Sequence, residues 1–354
     1  MTGQKRLATA AAAGLLLVGA AACSSAQDAA GGGASKYTYN SDSAGATQLE
    51  GAKMAATLGD VHAKKKYRVA VILKALTNQY WQGIEKGAKA AGDKLGVEVV
   101  VQAASSESAQ TEQLSIGQTL VGQKFDGYVV APESTSNLTP AMRQMQSQGA
   151  PIVNVDDARV AATTYVGPSH ELDGEQAAAE FATLFPQGGK VAQVEGQAGS
   201  SAAILRIKGF KDGVKKAGNL QLVASVPGDW DPDKAFAAAQ QIIQQHPDVK
   251  AIYADNDTMA VGVAKAVSAS KKNIAVVGTD GVPEAVSGVR KGTMTATVSP
   301  LPYWEGYWAV ESAVRLLEGQ KVPAWVVAPA QLITKDSVDK FYDNQGFVLT
   351  DLFK

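Results

Sequence analysis

The chain has 354 residues, 45% hydrophobic and 19% charged, with a formal net charge of −1. That length exceeds one ordinary core and suits two, and the near balance of charge excludes the basic excess that a nucleic-acid surface needs. Three histidines (His62, His170, His246) and a single cysteine, Cys23, supply no metal-ligand spacing, no Cys–His nucleophile pair and no intrachain disulfide.

Lys5 and Arg6 precede an apolar run from Leu7 to Ala22, and Cys23-Ser24-Ser25 follows. A basic start, a short apolar stretch and small residues describe an export signal over residues 1–22 rather than a membrane span. The segment resembles a bacterial lipobox, whose cysteine is lipidated and becomes the mature N-terminus; Ala20 departs from it where that motif usually has leucine. The resemblance assigns Cys23 to lipidation, with the membrane reached only through the lipid anchor. Residues 23–66 are rich in Gly, Ala, Ser and Asn and read as a lipidated flexible tether. A loose helix over 48–63 is the alternative for part of it, and Lys64-Lys65-Lys66 reads as a solvated boundary.

From Tyr67 strands and helices alternate. The runs RVAVIL, VEVVVQ, DGYVVAP, APIVNV, TTYVGP, KVAQVEG, LQLVASV, KAIYAD, IAVVGTD, MTATVS and APAQLIT have strand length. Between most of them lie helical patterns such as WQGIEKGAKAAGDKLG and KAFAAAQQIIQQHP. Continuous apolar strands separated by helices predict parallel sheets covered on both faces, a doubly wound α/β fold. The chain also repeats itself. GIEKGAKAAG (Gly83 to Gly92) is echoed by GFKDGVKKAG (Gly209 to Gly218), and the strands PIVNVD and IAVVGTD each end on an acid, Asp156 and Asp280. Two similar lobes with acids at matching strand ends imply a cleft at the carboxyl ends of the strands, where ligands bind in this architecture.

From about Tyr67 to Tyr342 the chain resembles the periplasmic sugar-binding proteins of ABC transporters, the ribose-binding-like type I group, which share their core with LacI-type effector domains. The resemblance implies three hinge crossings, near Val166, Leu301 and Val326. The N-terminal lobe is then 67–166 plus 301–325, and the C-terminal lobe 167–300 plus 326–345.

A sugar needs paired hydrogen-bond donors and acceptors for its hydroxyls and aromatic surface for its C–H faces. LTNQYW (76–81) is similar to the family's Asn-x-aromatic-aromatic segment, which brings Asn78, Tyr80 and Trp81 to the ligand. In VDDAR (155–159) Asp156 matches, but Asp157 stands where the family usually has arginine. An acceptor there suits a ligand richer in hydroxyl donors, such as an open-chain polyol; alternatively Lys74 supplies the missing cation. The Gly-rich turn of 196–210 has neither GxGxxG nor GxxxxGK[ST], which speaks against a nucleotide, and the family's arginine falls on Arg206. Trp230 matches an aromatic that covers the ligand, Asn256 falls at a strand end with Asp257 as the cap of the next helix, and Asp280 closes the set. Ala131 and Pro300 replace two further polar positions of the family.

The resemblance implies a monomeric extracytoplasmic binding lipoprotein, anchored at the outer face of the cell membrane. It would deliver a monosaccharide or sugar alcohol to an ABC permease, with no cofactor, no metal, no catalytic residue and no nucleic acid. The alternative is a sugar-sensing receptor that reports to a membrane signalling partner. A transcription regulator would need a helix-turn-helix where 1–66 carry a leader and tether, and a glycosidase would need Asp156 and Asp280 as an acid pair.

Overall fold

A computed structural model describes residues 36–40 and 47–353; the export signal, Cys23 and much of the expected tether lie outside the described residues. In chain order the elements are β1 (Gln48–Glu50), α1 (Met54–Leu58), β2 (Arg68–Ala75), α2 (Gln79–Leu95), β3 (Glu98–Ala104), α3 (Gln110–Gly122), β4 (Gly127–Val130), α4 (Thr139–Ser147), β5 (Ile152–Val155) and β6 (Thr164–Gly167). They continue with α5 (His170–Leu184), β7 (Gly189–Glu195), α6 (Ser201–Ala217), β8 (Leu220–Pro227), α7 (Pro232–Gln245), β9 (Val249–Ala254), α8 (Asp257–Ser270), β10 (Ala275–Thr279), α9 (Pro283–Lys291) and β11 (Ala296–Ser299). The last are α10 (Pro302–Leu317), β12 (Trp325–Val327) and β13 (Gln331–Thr334).

Two sheets form. The first has strand order β1-β12-β6-β5-β4-β2-β3 and is parallel throughout. The second has order β13-β11-β10-β9-β7-β8, parallel except for antiparallel β13 at its edge. Helices cover both faces, so inner strands such as β4, β5 and β11 are buried at every residue, whereas β3 and β8, further from the sheet centres, are partly exposed. The chain crosses from the first sheet to the second between Gly167 and His170. It returns between Ser299 and Pro302, and passes over again between Val327 and Gln331. Beyond these crossings the tail returns to the first lobe, where the Trp304 indole donates to Leu349 O at 2.9 Å and Phe353 packs on Trp304 and Trp308.

The echoed sequence has a packing cause. A Cβ on Gly87 of α2 would lie 1.7 Å from Tyr303 O on α10, and one on Gly209 of α6 would lie 1.9 Å from Glu171 O on α5. In each lobe a glycine face lets two helices approach backbone to backbone. Gly306 and Gly174 answer from the partner helices, with Cβ positions 2.0 and 2.3 Å from Ile84 O and Arg206 O.

Two expectations need correction. Residues 47–63 are not a free tether. Leu49 of β1 registers with Val326 of β12, Met54 and Val61 are buried, and Arg315 Nη2 donates to Gly59 O at 2.7 Å. Upstream, Asn40 N donates to Ala162 O at 2.8 Å. The small-residue composition concealed two apolar anchors. APAQLIT is a strand only in its second half, β13, and residues 328–330 form the crossing instead. Pro329 cannot donate to a ladder, and it falls between β12 in one sheet and β13 in the other.

Candidate functional site

Strand ends of both sheets face one another across a narrow space of about 30 Å³. All ten residues singled out from the sequence line it: Lys74, Asn78, Tyr80, Trp81, Asp156 and Asp157 from the first lobe, and Arg206, Trp230, Asn256 and Asp280 from the second. Glu107 and Ala202 complete the wall. Eight of these residues, Lys74, Tyr80, Trp81, Asp156, Asp157, Arg206, Asn256 and Asp280, are no more than 4% exposed, so the lobes are closed on each other.

Local structure places each group. Asn78 caps α2, its Oδ1 accepting from Tyr80 N at 2.9 Å, and its Nδ2 donates to Glu107 Oε1 at 2.7 Å. That cap sets Tyr80 and Trp81 in the first turn, where the Tyr80 hydroxyl donates to Glu305 Oε2 at 2.7 Å. Asn256 caps α8 by accepting from Met259 N at 2.9 Å. This corrects the assignment of the cap to Asp257, which instead accepts from Gly281 N, Val282 N and Thr297 Oγ1 at 2.7 to 3.0 Å and so pins the loop that carries Asp280.

Backbone strain gathers here. Among the described residues eight non-glycines have positive φ, and five of them, Asp156 (48°), Asp157 (41°), Asp229 (53°), Trp230 (61°) and Asp280 (132°), stand at the cleft. Each costs on the order of 1–3 kcal/mol and persists only where surrounding contacts impose it. Such clustering marks a site rather than a passive turn.

The charges fall into two groups. Lys74 Nζ pairs with Asp157 Oδ2 and lies 3.5 Å from Glu107 Oε2. Burial would lower the Lys74 pKa, but the two carboxylates outweigh it and raise it. Burial likewise works to raise Asp157, and the Lys74 charge prevails and holds it below the usual range. Arg206 Nε donates to Asp173 Oδ2 at 3.3 Å and its Nη1 to Asp255 O at 2.8 Å, with Asp280 Oδ1 at 3.4 Å. Asp156 and Asp280 remain elevated: burial pushes both up, and His170 beside Asp156 and Arg206 beside Asp280 only partly oppose it.

Several polar atoms of the wall lack a hydrogen bond. The indole nitrogens of Trp81 and Trp230 and Asp156 Oδ1 are buried and unpaired, although His170 Nε2 lies 3.3 Å from that oxygen. Buried polar groups are ordinarily satisfied, so two donors and an acceptor left open in one cavity describe a site for a hydroxylated molecule. Glu107 is the residue sequence reasoning missed. It stands just beyond the end of β3, so the strand-end rule that found the aspartates could have found it. Among the described residues no cluster of His, Cys, Asp or Glu could hold a metal ion, and no helix is long and apolar enough to cross a membrane.

Behind the wall, Asp255 accepts from Gly196 N at 2.8 Å and Gln193 Nε2 at 2.6 Å, yet burial pushes its pKa to about 7. An unfolded aspartate titrates near 3.9. Between these values the folded chain holds the extra proton, so this group's contribution to stability falls as pH rises from about 4 to about 7. Urea midpoints measured across that window should therefore change less steeply in the falling direction for Asp255→Asn than for wild type. Parallel curves would refute the assignment.

A periplasmic binding protein domain matches residues 69–321. The chain is 34% identical over 284 residues to the D-allose-binding periplasmic protein of Escherichia coli (strain K12), which spans 75% of this chain and 91% of that protein. It is 31% identical over 274 residues to the ribose import binding protein of Bacillus subtilis (strain 168), spanning 77% of this chain and 88% of that one. An ABC transporter periplasmic solute binding protein from Actinobacillus succinogenes 130z, solved with bound D-allose, superposes with a TM-score of 0.74 at 25% identity, over 78% of this chain and 100% of that one. An ABC transporter solute binding protein from Mycobacterium smegmatis, solved with bound glycerol, gives 0.73 at 28% identity, over 80% and 100%.

Proposed function

The chain belongs to the periplasmic binding protein family, among the sugar-binding proteins of ABC transporters, and on that premise we propose that it captures one monosaccharide or sugar alcohol between its lobes and delivers it to an ABC permease. The observation that carries this reading is the convergence of Asp156, Arg206, Asp280 and two open indole N–H groups, drawn from both lobes, on one buried space. Asp156 and Asp280 accept from ligand hydroxyls, Arg206 donates, and Trp81 and Trp230 offer aromatic surface to C–H faces from opposite lobes. A ligand touched by both lobes binds the closed form better than the open one and so shifts the population toward closure, the form a permease would sense.

The relatives are named for allose and ribose, and a neighbour holds glycerol. With Asp157 and Lys74 in the cavity, we place the ligand in the class of neutral polyhydroxylated molecules of monosaccharide size or smaller. A thermal-shift panel of ribose, allose, other pentoses and hexoses, glycerol, tetritols and hexitols tests this. A ligand at a hundred times its Kd adds about 2.7 kcal/mol to stability, so at least one compound should raise the melting temperature by several degrees. Silence across the panel would overturn the reading.

The anchor is proposed on Cys23 and its preceding apolar run. Metabolic labelling with a fatty-acid analogue should mark the wild-type chain in its native host and leave Cys23→Ser unmarked; equal labelling of both refutes it.

A further inference from the structure

Asp157 sits in the cleft, but its oxygens are turned to protein groups. Oδ2 accepts from Lys74 of its own lobe. Oδ1 accepts from Ala202 N at 3.1 Å and from Ser200 Oγ at 3.4 Å, both at the N-terminus of α6 in the other lobe. Lys74 and Asp157 are 2% and 4% exposed. Its neighbour Asp156 differs, keeping Oδ1 without a hydrogen bond.

We propose that Asp157 is a positioning residue that clasps the two lobes, held in place by Lys74, and is not a ligand contact. The inference rests on the binding reading above and divides the cavity wall into groups that take the ligand and groups that shut the cleft. The two halves of the clasp act differently. The Lys74 bond lies within one lobe and survives opening, so it presets Asp157 as an ionised acceptor. The bonds to α6 exist only when the lobes meet. There Asp157 supplies a carboxylate to the Ala202 backbone N–H and the Ser200 hydroxyl at the positive end of the helix dipole, a charge-assisted contact in a water-poor setting. A contact made in only one of two states shifts their balance by its whole differential strength. Glu107, near Lys74 and bonded to Asn78, ties the clasp back to the first turn of α2. Where the resemblance placed an arginine facing the sugar, this chain has a carboxylate that reaches across to the opposite lobe.

The test uses the ligand-free protein, so that it stands apart from the sugar panel. Spin labels on Lys94→Cys and Lys265→Cys, both exposed and on opposite lobes, report interlobe distance by pulsed EPR, in a Cys23→Ser background. Wild type should hold a short-distance, closed population. Asp157→Ala should reduce the closed-to-open ratio about tenfold, and the isosteric Asp157→Asn, which keeps an oxygen but loses the charge, by a smaller factor at an unchanged melting temperature. A wild-type distribution with no closed component, or identical distributions in wild type and both folded variants, overturns the clasp. Neither result bears on whether a sugar binds, which the thermal-shift panel decides separately.

Discussion

Asp280→Ala should weaken binding of the active compound in the sugar panel at least tenfold while leaving the melting temperature of the ligand-free protein unchanged or higher. Asp280 follows β10 in a left-handed conformation, is 4% exposed and lies 3.4 Å from Arg206. Burial pushes its pKa well up, and the nearby Asp257 and Asp156 add to that push while Arg206 opposes it. An acid so placed contributes little to the empty fold, because Arg206 keeps Asp173 and Asp255 O when Asp280 is gone. Its carboxylate gains only when ligand hydroxyls donate to it, and a hydrogen bond to a charged group is worth about 1.5–3 kcal/mol, or roughly ten- to hundredfold in affinity. Asp280→Asn, which tolerates the same backbone, should lose somewhat less. Trp230→Ala should match the tenfold loss through the aromatic surface it removes. Calorimetric titration paired with scanning calorimetry separates the cases: unchanged affinity with a large fall in apo stability would make Asp280 a packing residue.

The lobes were legible in the sequence because their inner strands are covered on both faces. Such strands read as unbroken apolar runs, and β2, β5 and β10 were found that way. What the sequence hid depends on contacts between distant segments. β1 is three residues long, and two of them are polar; only its pairing with β12 makes it a strand. That only QLIT of APAQLIT is a strand follows from the crossing between sheets, which no local pattern announces.

Within the cleft the aspartates and the asparagines could be read because strand ends in this fold point at a common space, whereas Arg206, inside α6, was read only through the resemblance. Their partners could not. Asn256 lines the space as its strand-end position implies, but it also caps α8 in place of Asp257, whose decisive bonds run to Gly281 and Val282 on another loop. Asp157 shows the same limit more sharply. Its sequence environment announces a carboxylate where an arginine is usual, and Lys74 was recognisable as a candidate cation. That the second oxygen engages α6 of the other lobe is a fact of closure, written in no single segment.

Gly209→Val should destabilise the C-terminal lobe by about 3 kcal/mol or more, the upper range for overpacking a core. The added Cβ would stand 1.9 Å from Glu171 O and the next-nearest atoms are also backbone, so no rotamer change relieves the clash and α5 must draw away from α6. That separation has a second consequence. Arg206 lies one turn before Gly209 and reaches Asp173, on α5 beside Gly174. Gly209→Ala, folded but strained, should therefore bind the active sugar more weakly even though residue 209 does not line the cavity. Gly218 supplies the contrast: it caps α6 at φ 72° with nothing within 4 Å of its Cβ position, so Gly218→Ala should cost only about 1 kcal/mol of backbone strain and leave affinity alone. Urea unfolding of the three variants orders these effects. Equal losses at Gly209 and Gly218 would mean that the echoed glycines act as helix caps, and that backbone contact between paired helices is not what the repeat preserves.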